Sequence, residues 1–356
     1  MTVGELTATD ALYLRRAFEL AERGRGGTEP NPRVGCVLVA GDRVIGEGWH
    51  RRAGEAHAEV RALEAVRSAD RPAIRGCTAY VSLEPCSHHG RTPPCADRLA
   101  AEGIGRVVVG RMDCDPRVSG RGCARLEAAG IEVVVAPAAS AVGRTIADQL
   151  SRFETVRTAG RPYVVLKWAV TADGFVDHRE PGTALPGSGG SPISAPHTRL
   201  LSHAWRTWED AILVGGLTAV IDVPQLDARA VAGRQPLPIV LGQALPADHP
   251  LSGRALLLDP GTDLAAALRY LTADHGITSL LVEGGPSTHR RFMAAGVWDE
   301  IRVITSPDAV GKGLRAAGLP DEARLVAGPS SIAPFTRWGR DTLHTYVRTA
   351  PHSGSV

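Results

Sequence analysis

The sequence predicts an α/β protein of two domains. Strand-like apolar runs alternate with amphipathic stretches along nearly the whole chain, the pattern of sheets covered by helices. At 356 residues the chain has the length of about two ordinary domains. The alternation breaks at Thr158-Ala159-Gly160-Arg161-Pro162, so the expected domains are residues 1–157 and 158–356.

Taken in order, Asp10–Glu22 has helical periodicity. Val34–Val39 and Val44–Trp49 flank the turn Gly41-Asp42 and read as a hairpin. Ala56–Val66 is helical, Cys77–Leu83 is a buried strand, and Cys95–Glu102 is helical again. The strand Arg106–Val109, the helix Arg121–Ala129, the strand Ile131–Val135 and the helix Ala141–Phe153 complete the first half. The second half restarts with the strand Tyr163–Trp168. Further strands are expected at Ala211–Val214, Ile239–Leu241, Ser279–Val282 and Glu300–Thr305, with helices at Pro196–Trp205, Leu264–Ala273 and Thr288–Ala295. Glu180–Ser191 is rich in Gly and Pro and reads as a flexible loop.

Charge narrows the function. The formal net charge is +2, divided evenly between the halves, so neither half is a polycation suited to nucleic-acid phosphates or anionic lipid. Met1–Leu14 lacks a basic segment followed by an apolar core, and no apolar run approaches the roughly 18 residues of a spanning helix. Six cysteines are too few for a disulfide scaffold in a chain of this length. The expected setting is cytoplasmic, with reduced thiols available to metal. Cys36 and Cys77 lie in apolar strands and read as core, while Cys114 and Cys123 read as incidental loop or helix-start residues. Arginine dominates the basic residues, and the two lysines are Lys167 and Lys312.

Four residues carry the strongest chemical signal: His57, Glu59, Cys86 and Cys95. Catalytic zinc takes three N or S ligands and keeps one position open for water. One histidine and two thiolates supply three, and a neighbouring carboxylate can carry protons. His57-Ala58-Glu59 opens a helix, so both side chains are expected in its first turn. Cys95 opens the next helix, where the N-terminus favours thiolate. The H-x-E…P-C-x-x-C pattern marks zinc deaminases. Here Pro85-Cys86 is intact, but eight residues separate the cysteines instead of two. A closed structural zinc would need a fourth ligand, for which His88 or His89 is available.

The long insertion is itself informative. His57-Ala58-Glu59-Val60 followed by Glu84-Pro85-Cys86-Ser87-His88-His89-Gly90-Arg91-Thr92-Pro93-Pro94-Cys95 closely resembles the deaminase half of the bifunctional riboflavin-biosynthesis deaminase–reductases. Pro30-Asn31-Pro32-Arg33-Val34-Gly35, Gly46-Glu47-Gly48-Trp49-His50 and Arg52-Ala53-Gly54-Glu55 match the same family, over nearly all of residues 10–155. The resemblance implies a cytidine-deaminase-like three-layer domain followed by a dihydrofolate-reductase-like domain. It implies zinc on His57, Cys86 and Cys95, with Glu59 as the catalytic acid–base. The implied substrate is a small pyrimidine nucleotide, 2,5-diamino-6-ribosylamino-4(3H)-pyrimidinone 5′-phosphate, which loses a ring amine as ammonia. Asn31 would face that substrate, and His88, His89 and Arg91 are weaker candidates.

In the second half, Glu283-Gly284-Gly285-Pro286 follows an apolar strand and precedes a helix, where backbone N–H groups can approach an anion. No G-x-G-x-x-G follows the first strand, so a Rossmann site is not supported. The resemblance implies an NADPH-dependent reductase that converts the ribosyl side chain to ribityl. It places Ala169, Thr218, Asp222 and Gly285 through Arg290 at the cofactor, and Arg206, Leu226, Arg229 and Glu283 at the substrate. Lys167 through Gly174 fits the family's opening strand and turn, and Arg199 lies on the arginine-bearing helix. The family's rim has drifted here: Pro192-Ile193-Ser194 replaces tryptophan-isoleucine-threonine, Gly190 replaces a serine, and Gly242-Gln243 replaces aspartate-serine. Pro307-Asp308-Ala309-Val310-Gly311 also departs from its pattern. A deaminase with a retargeted or degenerate second domain therefore stays open as the alternative. The resemblance further implies a homo-oligomer built on the reductase half.

Overall fold

A computed structural model describes residues 2–3, 5–88, 93–116, 118–190, 192–326 and 337–348. The chain divides into two compact units, Met1–Ala159 and Gly160–Val356.

The first unit runs β1 (Thr2–Val3), α1 (Ala8–Glu22), β2 (Gly35–Ala40), β3 (Arg43–Trp49), α2 (Ala58–Glu64), a 3-10 helix (Ser68–Ile74), β4 (Thr78–Val81), α3 (Cys95–Ala101), β5 (Arg106–Val109), α4 (Arg121–Ala128), β6 (Glu132–Val135) and α5 (Ala141–Ala159). Its described strands form one sheet in the order β1-β6-β5-β4-β2-β3, parallel except that β2 runs against β3 and β4. Alternation along the strands sorts side chains to two faces. Leu38, Val81, Val107 and Val133 pack under Ala62 of α2, Leu99 of α3 and Leu126 of α4. Val37, Tyr80 and Val108 pack under Leu14 and Ala17 of α1 and Ile146 of α5. The result is three layers, helix on sheet on helix.

Two details set the ends of these helices. Thr7 and Asp10 form a reciprocal capping box at the start of α1, with hydrogen bonds of 3.0 and 3.1 Å. The helix α2 lies directly on β3 because Gly48 has no side chain. A Cβ there would stand 2.3 Å from the Ala62 nitrogen and 2.5 Å from the Ala58 oxygen.

The second unit runs β7 (Tyr163–Val170), β8 (Phe175–Asp177), α6 (Pro196–Trp208), β9 (Ala211–Gly215), α7 (Gly216–Asp222), β10 (Leu237–Leu241), β11 (Leu256–Leu258), α8 (Leu264–His275), β12 (Ser279–Val282), α9 (Pro286–Ala294), β13 (Glu300–Thr305), β14 (Leu314–Arg315), β15 (Ala323–Leu325), β16 (Arg337–Trp338) and β17 (Asp341–Arg348). The main sheet has the order β11-β10-β9-β12-β7-β13-β17-β15. Strands β11 through β13 are parallel, and β17 runs against β13. Leu268 of α8 and Phe292 of α9 cover one face, and Ala219 of α7 with Leu226 covers part of the other.

Several expectations are corrected. The helix expected to end at Phe153 continues to Ala159. The helix α7 and the strand β17 have no counterpart in the sequence reading. Cys123 is not incidental: it lies within α4 and is fully buried in the core. The segment 180–190 does not hang free, because Gly187 and Gly189 donate backbone hydrogen bonds to Val220 and Ile221 of α7, each at 3.0 Å. Among the described residues, no helix is long and apolar enough to cross a membrane.

Candidate active sites

In the first unit, chemistry gathers where β4 ends. His57 is not inside the first turn of α2. Its extended backbone, with φ −69 and ψ 166, makes it the N-cap, and its carbonyl accepts the Arg61 N–H at 3.0 Å. Cys86 lies on the segment leaving β4, and Cys95 is the first residue of α3. The Nδ1 of His57 is 3.6 Å from Cys86 Sγ and 3.3 Å from Cys95 Sγ, and all three ligand atoms lie within 4.8 Å of one another. Tetrahedral zinc with Zn–N of about 2.1 Å and Zn–S of about 2.3 Å separates its ligands by roughly 3.6 Å, so the donor set and its spacing fit the ion. The Cys95 N–H donates to Cys86 Sγ at 3.3 Å. Hydrogen bonding between the two thiols lowers Cys86, with His57 adding to the effect, and raises Cys95, so Cys86 is the thiol of the pair that gives up its proton first.

Glu59 follows two residues after His57 and is almost wholly buried, at 3 % exposure. Burial, aided by the Cys86 charge, pushes its carboxyl up. Glu59, His57 and Cys86 line a cleft of about 370 Å³. Asn31 lines it too, and its Nδ2 is 3.2 Å from His50 Nε2. The other ring nitrogen of His50 donates to the Ala56 carbonyl at 3.2 Å, which leaves Nε2 to accept from Asn31. The His50 and His57 rings meet edge to face, with centroids 5.5 Å apart. His88 is exposed on the cleft wall, while His89 and Arg91 lie outside the described residues.

The sequence reading missed the far wall of this cleft: Asp113, Asp115, Val118, Phe153 and Arg157. It also passed over Glu84, the residue before Pro85. The Glu84 carboxylate accepts backbone N–H groups from Asp113, Gly120, Gly122 and Cys123 at 3.2, 3.0, 2.9 and 3.3 Å. One buried charge thus fixes the wall loop and the start of α4. A carboxylate immediately before Pro-Cys was the available signal.

In the second unit, β9 and β12 are neighbours whose following connections leave in opposite directions, toward β10 and toward β13. Ligands of open α/β sheets bind beyond the carboxyl ends of such a pair. Gly215-Gly216 and Gly284-Gly285 stand there. A Cβ on Gly284 would lie 2.4 Å from the Gly215 nitrogen, so only glycine permits the approach. The Gly285 N–H donates to Thr218 Oγ1 at 3.0 Å. Arg206 of α6 makes a two-pronged pair with Glu283, at 2.7 and 3.1 Å, and also donates to the Asp227 carbonyl at 2.8 Å. Burial alone would raise the Glu283 carboxyl, but the Arg206 and Lys167 charges more than reverse this and hold it at about 2. Burial lowers the Lys167 ammonium in turn.

The structure thus joins Thr218 to Gly285 and Arg206 to Glu283. Other expected residues stand apart from these pairs. Asp222 ends α7, with Arg179 at 3.8 Å, and a Cβ on Gly190 would lie 3.3 Å from its carboxylate. Leu226 is buried in the core with a left-handed φ of 49, so its side chain packs inward instead of facing a ligand. The Arg229 side chain is 60 % exposed and pairs with Asp227. Ala169 is half-buried on β7 against Leu201 and Trp205. Arg199 donates to the Ser194 carbonyl at 3.2 Å. The departed segment after β13 still closes on the opening turn, where the Asp173 carboxylate accepts the Val310 and Gly311 N–H groups at 3.0 and 2.7 Å.

Fold and site define the class: a zinc deaminase unit joined to a unit of the dihydrofolate-reductase-like kind. Comparisons with known proteins agree. Residues 7–111 match the cytidine and deoxycytidylate deaminase zinc-binding region, and residues 162–329 match the RibD C-terminal domain. The riboflavin biosynthesis protein RibD of Aquifex aeolicus is 37 % identical over 336 residues, covering 86 % of this chain and 89 % of the relative. The Escherichia coli protein of the same name is 36 % identical over 347 residues, covering 86 % and 90 %. The solved structure of Acinetobacter baumannii RibD superposes with a TM-score of 0.78 at 30 % identity, covering 96 % of this chain and 99 % of that one. The chain belongs to the RibD family, the bifunctional deaminase–reductases of riboflavin biosynthesis.

Proposed function

We propose that the first unit removes a ring amine from 2,5-diamino-6-ribosylamino-4(3H)-pyrimidinone 5′-phosphate, and that the second reduces the ribosyl side chain of the product to ribityl. The observation that carries this reading is the His57–Cys86–Cys95 triangle with buried Glu59 in the same cleft. It is supported by the structure from Thermotoga maritima described as a diaminohydroxyphosphoribosylaminopyrimidine deaminase/5-amino-6-(5-phosphoribosylamino)uracil reductase, 30 % identical with a TM-score of 0.78 and covering 96 % of this chain.

Deamination exchanges a C–NH2 for a C=O, consuming water and releasing ammonia. Zinc, when bound by His57, Cys86 and Cys95, supplies the acidity that makes water a nucleophile at neutral pH. Glu59 takes the proton of the attacking water and passes it to the departing amine. Its burial in the cleft beside the metal ligands suits it to both halves of that transfer. Asn31, held by His50, offers an amide to the pyrimidine edge.

In the second unit the residues position and protonate. NADPH, when bound, supplies the hydride. Thr218 and the Gly284-Gly285 backbone shape the crevice for it, with Asp222 and Ala169 on its flanks. Arg206 and Glu283 hold the sugar, and Leu226 and Arg229 are assigned to the same ligand. Hydride addition to C1′ of the opened imine requires one proton at nitrogen. We assign that proton to Lys167, whose ammonium is weakened by burial and lies in the field of Glu283 and Arg206. The chain works in the cytoplasm, consistent with six unpaired cysteines, and as a homo-oligomer.

One assay separates this from a deaminase with a silent second domain. The nucleotide is supplied with and without NADPH, and ammonia and NADPH are followed together. One ammonia and one oxidised NADPH per substrate is the expected result. Ammonia without NADPH consumption would remove the reductase claim.

A further inference from the structure

The deaminase cleft contains a cation that neither the metal cluster nor Glu59 employs. Arg157 lies in the last turn of α5 and is the only arginine or lysine among the described residues lining the cleft. Its ordinary helical partner would be Glu154, one turn back. That carboxylate is taken: Arg111, just beyond β5, binds it in two-pronged fashion, with one contact at 2.9 Å. Among the described residues, no carboxylate lies within ion-pair distance of Arg157. What holds it is an apolar face. The Phe153 ring, four residues earlier on the same helix and also on the cleft wall, lies 5.4 Å from the guanidinium carbon.

The carboxylates facing it do not neutralise it. Glu84 is engaged by four backbone N–H groups, Asp113 accepts the Asp115 N–H at 2.8 Å, and Asp115 has a partner of its own. Glu59 stands with the cluster at the buried end.

We infer that Arg157 is the specificity-determining residue that recognises the phosphomonoester of the deaminase substrate. Arg157 is exposed to solvent at the cleft, and an arginine fork is matched to phosphate oxygens. The anchor lines the same cleft but comes from α5, an element that carries none of the metal ligands or Glu59. It therefore selects nucleotides over nucleosides without touching the atoms that react. This inference rests on the deaminase reading above and deepens it.

The test uses the zinc-loaded full chain, with Arg157→Ala and Arg157→Lys. Ammonia release is followed from the pyrimidine nucleotide, from its dephosphorylated nucleoside, and from the nucleotide in competition with inorganic phosphate. Zinc content and melting temperature report on folding. The expected outcome is a preference for nucleotide over nucleoside in kcat/KM that falls roughly ten- to hundredfold in Arg157→Ala, the value of one charge-assisted contact. The loss should fall on KM rather than kcat. Arg157→Lys should recover part of it, and inhibition by inorganic phosphate should weaken with the alanine variant. An unchanged preference in Arg157→Ala, or equal losses on both compounds, would overturn the assignment while leaving the deaminase intact. Ammonia from neither compound with the unaltered chain would overturn the deaminase reading and this inference together.

Discussion

Glu59 and Glu84 are both buried carboxylates in one cleft, and their surroundings give them different work. Glu84 is committed to four backbone donors and so shapes a loop. Glu59 is raised by burial beside a thiolate and so can exchange protons. Replacing Glu59 by Gln should lower ammonia release by more than about a hundredfold, the ordinary share of a positioned acid–base. Zinc should stay bound at one ion per chain, and its loss on dialysis would make Glu59 a ligand instead. Glu283 permits a signed pH prediction. Its folded carboxyl sits at about 2, below its usual range, so the Arg206 pair stabilises the fold above about 4.5 and the contribution disappears as pH falls toward 2. Glu283→Gln should cost roughly 3 kcal/mol at pH 7, and the gap from the unaltered chain should narrow steadily in thermal melts between pH 5 and pH 3. A gap independent of pH would show that the pair is not the source.

At the scale of elements, the position of α2 decides the metal site, because α2 carries His57 at its cap and Glu59 in its first turn. Gly48 decides the position of α2. Gly48→Ala would press a methyl into helix backbone, which cannot swing aside. A loss of about 1–3 kcal/mol in stability is expected, with weaker zinc retention against a chelator. Normal zinc retention at reduced stability would show that α2 shifts as a rigid body without opening the cluster. The elements also show what the sequence could tell. The strands β5, β12 and β13 were legible to the residue, since their apolar runs are short and bounded by turn residues. The helix α7 was not, because it opens on Gly215-Gly216, a pair that reads as a turn. The strand β17 was not either, because most of its residues are only half-buried and Asp341–Arg348 contains no apolar run. The zinc ligands were legible because their type and local order are chemically restrictive. The far wall was not, because the topology brings Phe153 and Arg157 from α5 to the loop after β5, and no local pattern records that meeting.

At the scale of the molecule, two units with separate cores carry the two steps. Ligands should therefore stabilise them separately. Scanning calorimetry of the full chain should show one transition that falls when zinc is chelated and another that rises with NADPH. Each shift approaches about 4 kcal/mol at a thousandfold excess of ligand over its Kd. A single transition moved by both ligands would mean that the units unfold together. The Thr218–Gly285 hydrogen bond fastens two glycine-rich turns at the centre of the second unit, and Gly242-Gln243 packs against one of them at Gly216, while Pro192 is exposed. For protein engineers this separates a chassis from its trim. Saturation libraries at exposed Pro192 and at Gly190, beside Asp222, can explore new pyridine nucleotides or sugars while the hub keeps the crevice assembled.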